Sequence, residues 1–242
     1  MTGFQAELRV SADPAAVADD VAAWLLGLAL ARPGRFSLCL SGGSTPKALY
    51  ERLAAPPYRD AFPWDRTHLF WGDERFVPAD DPLSNYAMVK AALLDHVAIS
   101  AENVHPVPTE HLDPQAAATA YEAALQAFYG REAFDPAEPL FDVNLLGVGP
   151  DGHTASLFPG TAVLEERDRW VAAVIGAKAE ARITLTYPAL ESSRRTAFLV
   201  VGADKAPILA RLRAGDPAVP AAHLRPCGDV LIFSDPAAVS TG

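Results

Sequence analysis

The chain has 242 residues, half of them hydrophobic and 21% charged, with a formal net charge of −10. That length and apolar content suffice for one α/β domain over residues 1–242 with a sizeable core. The acidic balance sets the surface against nucleic-acid phosphates and anionic lipid, so neither nucleic acid nor membrane is an expected partner; a locally basic pocket for a small anion stays open.

The predicted elements alternate along the chain. Residues 7–10 read as a strand. Asp13-Pro14 opens a helix to Ala31, with the aspartate as N-cap and the proline in the first turn. Arg32-Pro33-Gly34 stops it. Residues 36–40 form an apolar strand, and 46–53 a helix ended by Pro56-Pro57. A strand at 68–71, a helix at 84–97 and a short strand at 104–107 follow. Asp113-Pro114 repeats the cap signal for a helix to Tyr129. Strands are expected at 141–146, 170–174, 182–186 and 197–201, then a helix at 203–213 and a last strand at 230–233. Strands alternating with helices predict a mostly parallel, doubly wound sheet with helices on both faces. The inner strands are continuous apolar runs, as strands covered on both faces should be.

The longest apolar run, residues 21–31, is too short to span a bilayer. The N-terminus lacks the basic start and apolar core of a signal peptide. Cys39 and Cys227 lie far apart with no C-x-x-C, and read as buried free thiols of a reducing compartment. These features predict a cytoplasmic protein.

Four strand candidates run at once into polar, glycine-containing loops at 41–46, 72–75, 147–154 and 202–205. Parallel strands would bring all four to one sheet edge, where open α/β sheets bind ligands. In the first loop, Gly42 and Gly43 allow close approach, Ser44 and Thr45 carry hydroxyls, and Pro46 pre-sets a helix whose free N–H groups suit a phosphate. An ordinary capped turn fits the same residues. In the second loop, Asp73 suits proton transfer or orienting a base, and Arg75 suits an anion or a carbonyl; a solvated charge cluster is the plain alternative. Lys205 sits at a helix start, where the dipole disfavours a cation unless an anion binds there. Arg182, Thr184 and Thr186 share one strand face, opposite Ile183 and Leu185. Arg182 and Lys205 together could clamp a phosphate, or that face is simply solvated.

The stretch LLGVGPDGHTASLFPG, residues 145–160, spells G-x-G-x-x-G after an apolar run. A dinucleotide fingerprint needs a sustained helix after its glycines and an acidic residue about 20 positions on. Glu165, Glu166 and Asp168 could supply the acid. Pro159-Gly160, however, leaves room for only about two helical turns, and Pro150 removes a backbone donor inside the loop. Both features count strongly against the nucleotide reading. What remains is His153 on a glycine-rich strand-end turn, placed for general-base work, with Asp151 or Asp73 to orient it. The other histidines, His68, His96, His105, His111 and His223, form no metal-binding pattern and read as structural.

Six segments carry a family resemblance: LSGGSTP (40–46), WGDERFVP (71–78) with Ser84-Asn85-Tyr86, GVGPDGHTASLFP (147–159), RITLT (182–186), GADK (202–205) and PCGD (226–229). Together they resemble the 6-phosphogluconolactonase family, in order and across most of the chain. The resemblance implies a modified Rossmann-like fold shared with glucosamine-6-phosphate deaminases. It also implies hydrolysis of 6-phospho-D-glucono-1,5-lactone in the oxidative pentose phosphate route, with no metal and no cofactor. On this resemblance His153 is the base, Gly43 to Thr45 with Arg182 and Lys205 hold phosphate, and Asp73 and Arg75 lie near the lactone. The partner is then a small phosphosugar lactone, and the chain a monomer or weak homodimer. Two residues depart from the family pattern: Glu191 stands where asparagine is usual, and Ile232 where tryptophan is frequent. A sugar-phosphate deaminase or isomerase using Asp73, and a non-catalytic sugar-phosphate sensor, are the alternative functions.

Overall fold

The computed structural model describes residues 4–110 and 113–239. Its strands are β1 (Glu7–Val10), β2 (Phe36–Leu40), β3 (Thr67–Trp71), β4 (Asp73–Arg75), β5 (Val104–His105), β6 (Val143–Leu146), β7 (Val171–Val174), β8 (Arg182–Leu185), β9 (Arg195–Val200) and β10 (Asp229–Ser234). Its helices are α1 (Pro14–Ala31), α2 (Ser44–Leu53), α3 (Tyr58–Ala61), α4 (Asn85–Ala92), α5 (Pro114–Tyr129), α6 (Tyr187–Glu191), α7 (Ala206–Arg213) and α8 (Pro236–Val239). Seven strands form one sheet in the order β1-β10-β9-β6-β2-β3-β5. Every pairing in it is parallel. Helices flank this sheet, and the expected Rossmann-like α/β architecture is present.

The cap signals act as predicted. Asp13 accepts the N–H of Ala16 and Asp113 that of Ala116, each with proline in the first turn. Helix α1 buries Val17, Val21, Leu25 and Ala29 along one stripe, with Trp24 against Phe233. With a mean hydropathy of 1.5 over its 18 residues, α1 is long and apolar enough to cross a membrane by length and composition. The expected limit at residues 21–31 understated it. Its polar side chains are nonetheless tied into the domain: Asp19 accepts from Arg52, and Asp20 from the Ser11 hydroxyl.

Other elements differ from expectation for identifiable reasons. Helix α2 starts at Ser44, two residues early, because Gly43 turns the chain with φ of 107°. Helix α4 ends at Ala92, where Leu93 leaves helical geometry, and a separate 3₁₀ turn covers Leu94–His96. Residues 73–75, read as a loop, are strand β4. It pairs antiparallel with β8, and β8 with β7, as a second three-stranded sheet. Gly72 joins the two sheets: its N–H donates to Leu40 and its carbonyl accepts from Leu185. Thr184 and Thr186 are fully buried, so no face of β8 carries them into solvent. Cys39 is buried as expected, but Cys227 is exposed; both are free thiols.

Four of the five histidines read as structural are held within the fold. His96 and His223 contact backbone carbonyls of Ala91 and Pro217. His111 lies outside the described residues. His68 and His105 meet across β3 and β5 with ring nitrogens 3.1 Å apart, and Phe70 stacks on His105 at 4.4 Å. Burial, with the neighbouring charge of His68, pushes His105 down to about 4, and burial also lowers His68. Both rings are thus neutral in the fold at pH values where the unfolded chain already binds protons. The contribution of this pair is complete above about pH 6.5, the ordinary histidine value. It is lost as pH falls from there towards 4. Urea midpoints taken between pH 7 and 4.5 should fall with pH, and His105→Gln should flatten that slope.

Candidate active site

The sheet order reverses direction between β2 and β6. From β2 the chain builds outward to β3 and β5, and from β6 to β9 in the opposite sense. A cavity of about 290 Å³ opens at the carboxyl ends of these strands. The loops after β2, β3, β6 and β9 all reach it, as the sequence predicted. Its charged lining consists of Asp73, Arg75, Lys205 and the titratable His153. Two cations thus face one carboxylate on a chain of net charge −10.

The β6 loop is built around the imidazole. The Gly149 N–H donates to the His153 carbonyl at 2.8 Å, and the Gly152 N–H to the Gly149 carbonyl at 2.9 Å. These amides close the turn on itself, so they are not free to cradle a pyrophosphate. Gly152 has φ of +86°, which suits glycine. Gly149 has a different reason: a Cβ there would sit 2.1 Å from Cε1 and Nδ1 of His153. The missing side chain is the space the ring occupies. Phe158 backs the ring at 4.7 Å.

Asp151, and not Asp73, orients His153. Its carboxylate bonds His153 Nδ1 and accepts the His153 N–H at 3.2 Å. Partial burial would raise this carboxyl. The bonds from the His153 side chain and backbone, with the charges of His153 and Lys178, outweigh that and hold it below its ordinary value. An ionised acceptor requires the proton on Nδ1, so in the neutral imidazole it is Nε2 that carries the lone pair. Lys178, absent from the sequence-based candidates, places its ammonium 3.9 Å from Asp151 and 4.9 Å from the Phe158 ring centre.

Asp73 is held by other partners. The Ser156 hydroxyl donates to Oδ2 at 2.6 Å, and the Asn85 amide to the backbone carbonyl at 2.9 Å and to Oδ1 at 3.4 Å. Asn85 also lines the cavity and was not among the predicted site residues. It explains Gly42, where a Cβ would fall 2.1 Å from Asn85 Oδ1. Arg75 donates to the Leu83 carbonyl.

The remaining predicted residues divide. Gly42, Gly43, Ser44 and Thr45 line the cavity, and no side chain caps the α2 N-terminus they form. Lys205 lines it too, donating to the Val148 carbonyl at 3.0 Å. Arg182 is not on the lining. It stands opposite Arg75 in the β4–β8 ladder, with Nε and Nη1 buried and without hydrogen-bond partners. Burial, then the charge of Arg75, lowers its pKa. Glu191 and Ile232 are both off the lining, so the two family departures leave the cavity wall untouched. Among the described residues, no group of three or more His, Cys, Asp or Glu side chains is placed to hold a metal.

The family model described as glucosamine-6-phosphate isomerases/6-phosphogluconolactonase matches residues 12–233. A 6-phosphogluconolactonase of Nostoc sp. is 46% identical over 218 residues, covering 88% of this chain and 87% of its own. The crystal structure of a Thermotoga maritima 6-phosphogluconolactonase superposes with a TM-score of 0.81 at 30% identity, covering 96% of this chain and all of that one. A monomeric glucosamine-6-phosphate deaminase shares the fold, with a TM-score of 0.80 at 20% identity over 96% of this chain and 98% of its own.

Gly149→Ala should drive the imidazole off Asp151 at a stability cost of about 1–3 kcal/mol from overpacking. Denaturant titration reads the cost. Loss of the hydrogen-bonded Nδ1 proton resonance in the NMR spectrum reads the displacement.

Proposed function

The chain belongs to the family of glucosamine-6-phosphate isomerases and 6-phosphogluconolactonases, and from that membership we propose that it hydrolyses 6-phospho-D-glucono-1,5-lactone to 6-phospho-D-gluconate. One observation carries the reading. His153, bonded to Asp151, faces a cavity whose other walls hold an uncapped helix N-terminus and Lys205. A base and an anion site thus share one pocket.

The chemistry follows from these groups. A δ-lactone is an activated ester and needs a directed water, a base and charge stabilisation. His153 Nε2 takes a proton from water as its oxygen bonds C1. The tetrahedral intermediate collapses with cleavage of the bond from C1 to the ring oxygen. The proton on Nε2 then passes to that oxygen, and the new carboxylic acid ionises. Asp151 holds the tautomer and stabilises the imidazolium between the two transfers. Arg75 supplies positive charge beside the oxyanion. The phosphate, remote from C1, binds the Gly43–Thr45 turn and Lys205, which fixes the ring's orientation. Arg182 adds positive charge beside Arg75, on the same face of the β4–β8 ladder. The isomerase alternative asks Asp73 to carry a proton. Here both of its carboxylate oxygens already accept hydrogen bonds, from Ser156 and Asn85, which favours an anchoring role.

A lactone hydrolysis assay on freshly generated substrate tests the reading. His153→Ala should lower kcat/KM about 10²–10⁴-fold, the usual worth of a general base; full activity in that variant would remove His153 from the role. Lys205→Ala should act mainly on KM, raising it about tenfold or more, as loss of a charge-assisted bond does. A chelator should leave the rate unchanged. Ammonia released from glucosamine 6-phosphate would instead point to the isomerase chemistry.

A further inference from the structure

Glu74 stands between Asp73 and Arg75 but faces away from their cavity. It is 2% exposed and lines a separate cavity of about 320 Å³ behind the strand. Its carboxylate collects four donors. Oε1 accepts the N–H groups of Arg75 and Asn85, each at 2.7 Å; Oε2 accepts the Tyr86 N–H at 2.8 Å and the Ser84 hydroxyl at 3.2 Å. Three of those donors belong to the opening of α4, where Ser84 is the N-cap and in turn accepts from Ala87. A buried anion is tolerable there, because the donors and the helix dipole both favour negative charge.

The return contacts run to the cavity. Asn85 donates to the carbonyl and carboxylate of Asp73, and Arg75 donates to Leu83 just ahead of the helix. Strand and helix are therefore laced in both directions, and Glu74 is the knot. We propose that Glu74 is the positioning residue of this site: its buried carboxylate ties β4 to the start of α4 and so fixes Asp73, Arg75 and Asn85 against the cavity. Its kinetic consequence rests on the lactonase reading above; its structural consequence does not.

Glutamine tests this best, since it keeps the shape of Glu74 but replaces one acceptor oxygen with a donor. Two of the four donors then face an NH₂ group. Glu74→Gln should speed amide exchange at Asn85 and Tyr86 at least tenfold, with β10 amides unchanged as the control for global stability. On the lactone it should lower kcat about tenfold or more. In the Asn85→Ala background the same substitution should cost measurably less than in wild type, because the link from the Asn85 side chain to Asp73 is already lost while the tie to Arg75 remains. Wild-type exchange at Asn85 and Tyr86 would overturn the proposal, as would equal kcat losses in both backgrounds. Exchange is read without substrate, so a wild type that leaves the lactone intact sinks the lactonase reading alone, and the exchange result decides this one. Should Glu74→Gln not fold, Glu74→Asp, which keeps the charge but shortens its reach by one methylene, carries the same measurements.

Discussion

Strands β2 and β6 hold each other through two residue pairs only, Leu38 with Val143 and Cys39 with Asn144, and then part. Beyond that point Leu40 continues its ladder with Trp71, while Leu145 and Leu146 continue theirs with Ala197 and Phe198. The crevice opens where these two ladders part. Backbone groups at the parting need other partners, and Tyr50 supplies them: its hydroxyl accepts the Ser41 N–H and donates to the Ser41 carbonyl. One buried phenol from α2 thus stands in for a missing strand neighbour. The loops on either side of the gap inherit their positions from this arrangement.

Much of this was legible in the chain because the signals are local. Asp13-Pro14 and Arg32-Pro33-Gly34 bound α1 correctly, since capping and proline chemistry act within one turn. The apolar runs of β2, β6 and β9 declared a sheet buried on both faces, and parallel strands then put the polar loops at one edge. What stayed hidden depends on partners distant in sequence. Strand β4 has no apolar alternation, because its inward residue is Glu74, and it pairs with residues 182–184, over 100 positions away. Asn85 reads as an ordinary first-turn residue until Asp73 is seen beside it. Arg182, read with Lys205 as a phosphate clamp, is off the cavity lining, and the ladder seats it beside Arg75 on the same face. Thr184 and Thr186 suggested a solvated face; both are buried, the Thr184 hydroxyl accepting from the Ser156 N–H and the Thr186 hydroxyl donating to the Arg169 and Trp170 carbonyls.

The fold by itself does not select a chemistry, since a glucosamine-6-phosphate deaminase has the same architecture. Selection lies in the side chains at the strand ends. The G-x-G-x-x-G spelling shows how a pattern can mislead and still be informative. Gly149 and Gly152 are required by geometry, but the close approach that Gly149 permits is by an imidazole and not by a phosphate.

The turn that carries His153 is self-contained. The carbonyl of His153 is satisfied by Gly149, and both its backbone N–H and its ring nitrogen by Asp151. The hydrogen bonds that aim the imidazole therefore lie within five consecutive residues, with Phe158 packed against the ring from outside them. The other cavity walls come from separate segments, 41–46, 73–85 and 202–205. Substitutions there can reshape which sugar phosphates fit without re-aiming the imidazole, which gives the scaffold a modular route to altered selectivity in evolution or in the laboratory.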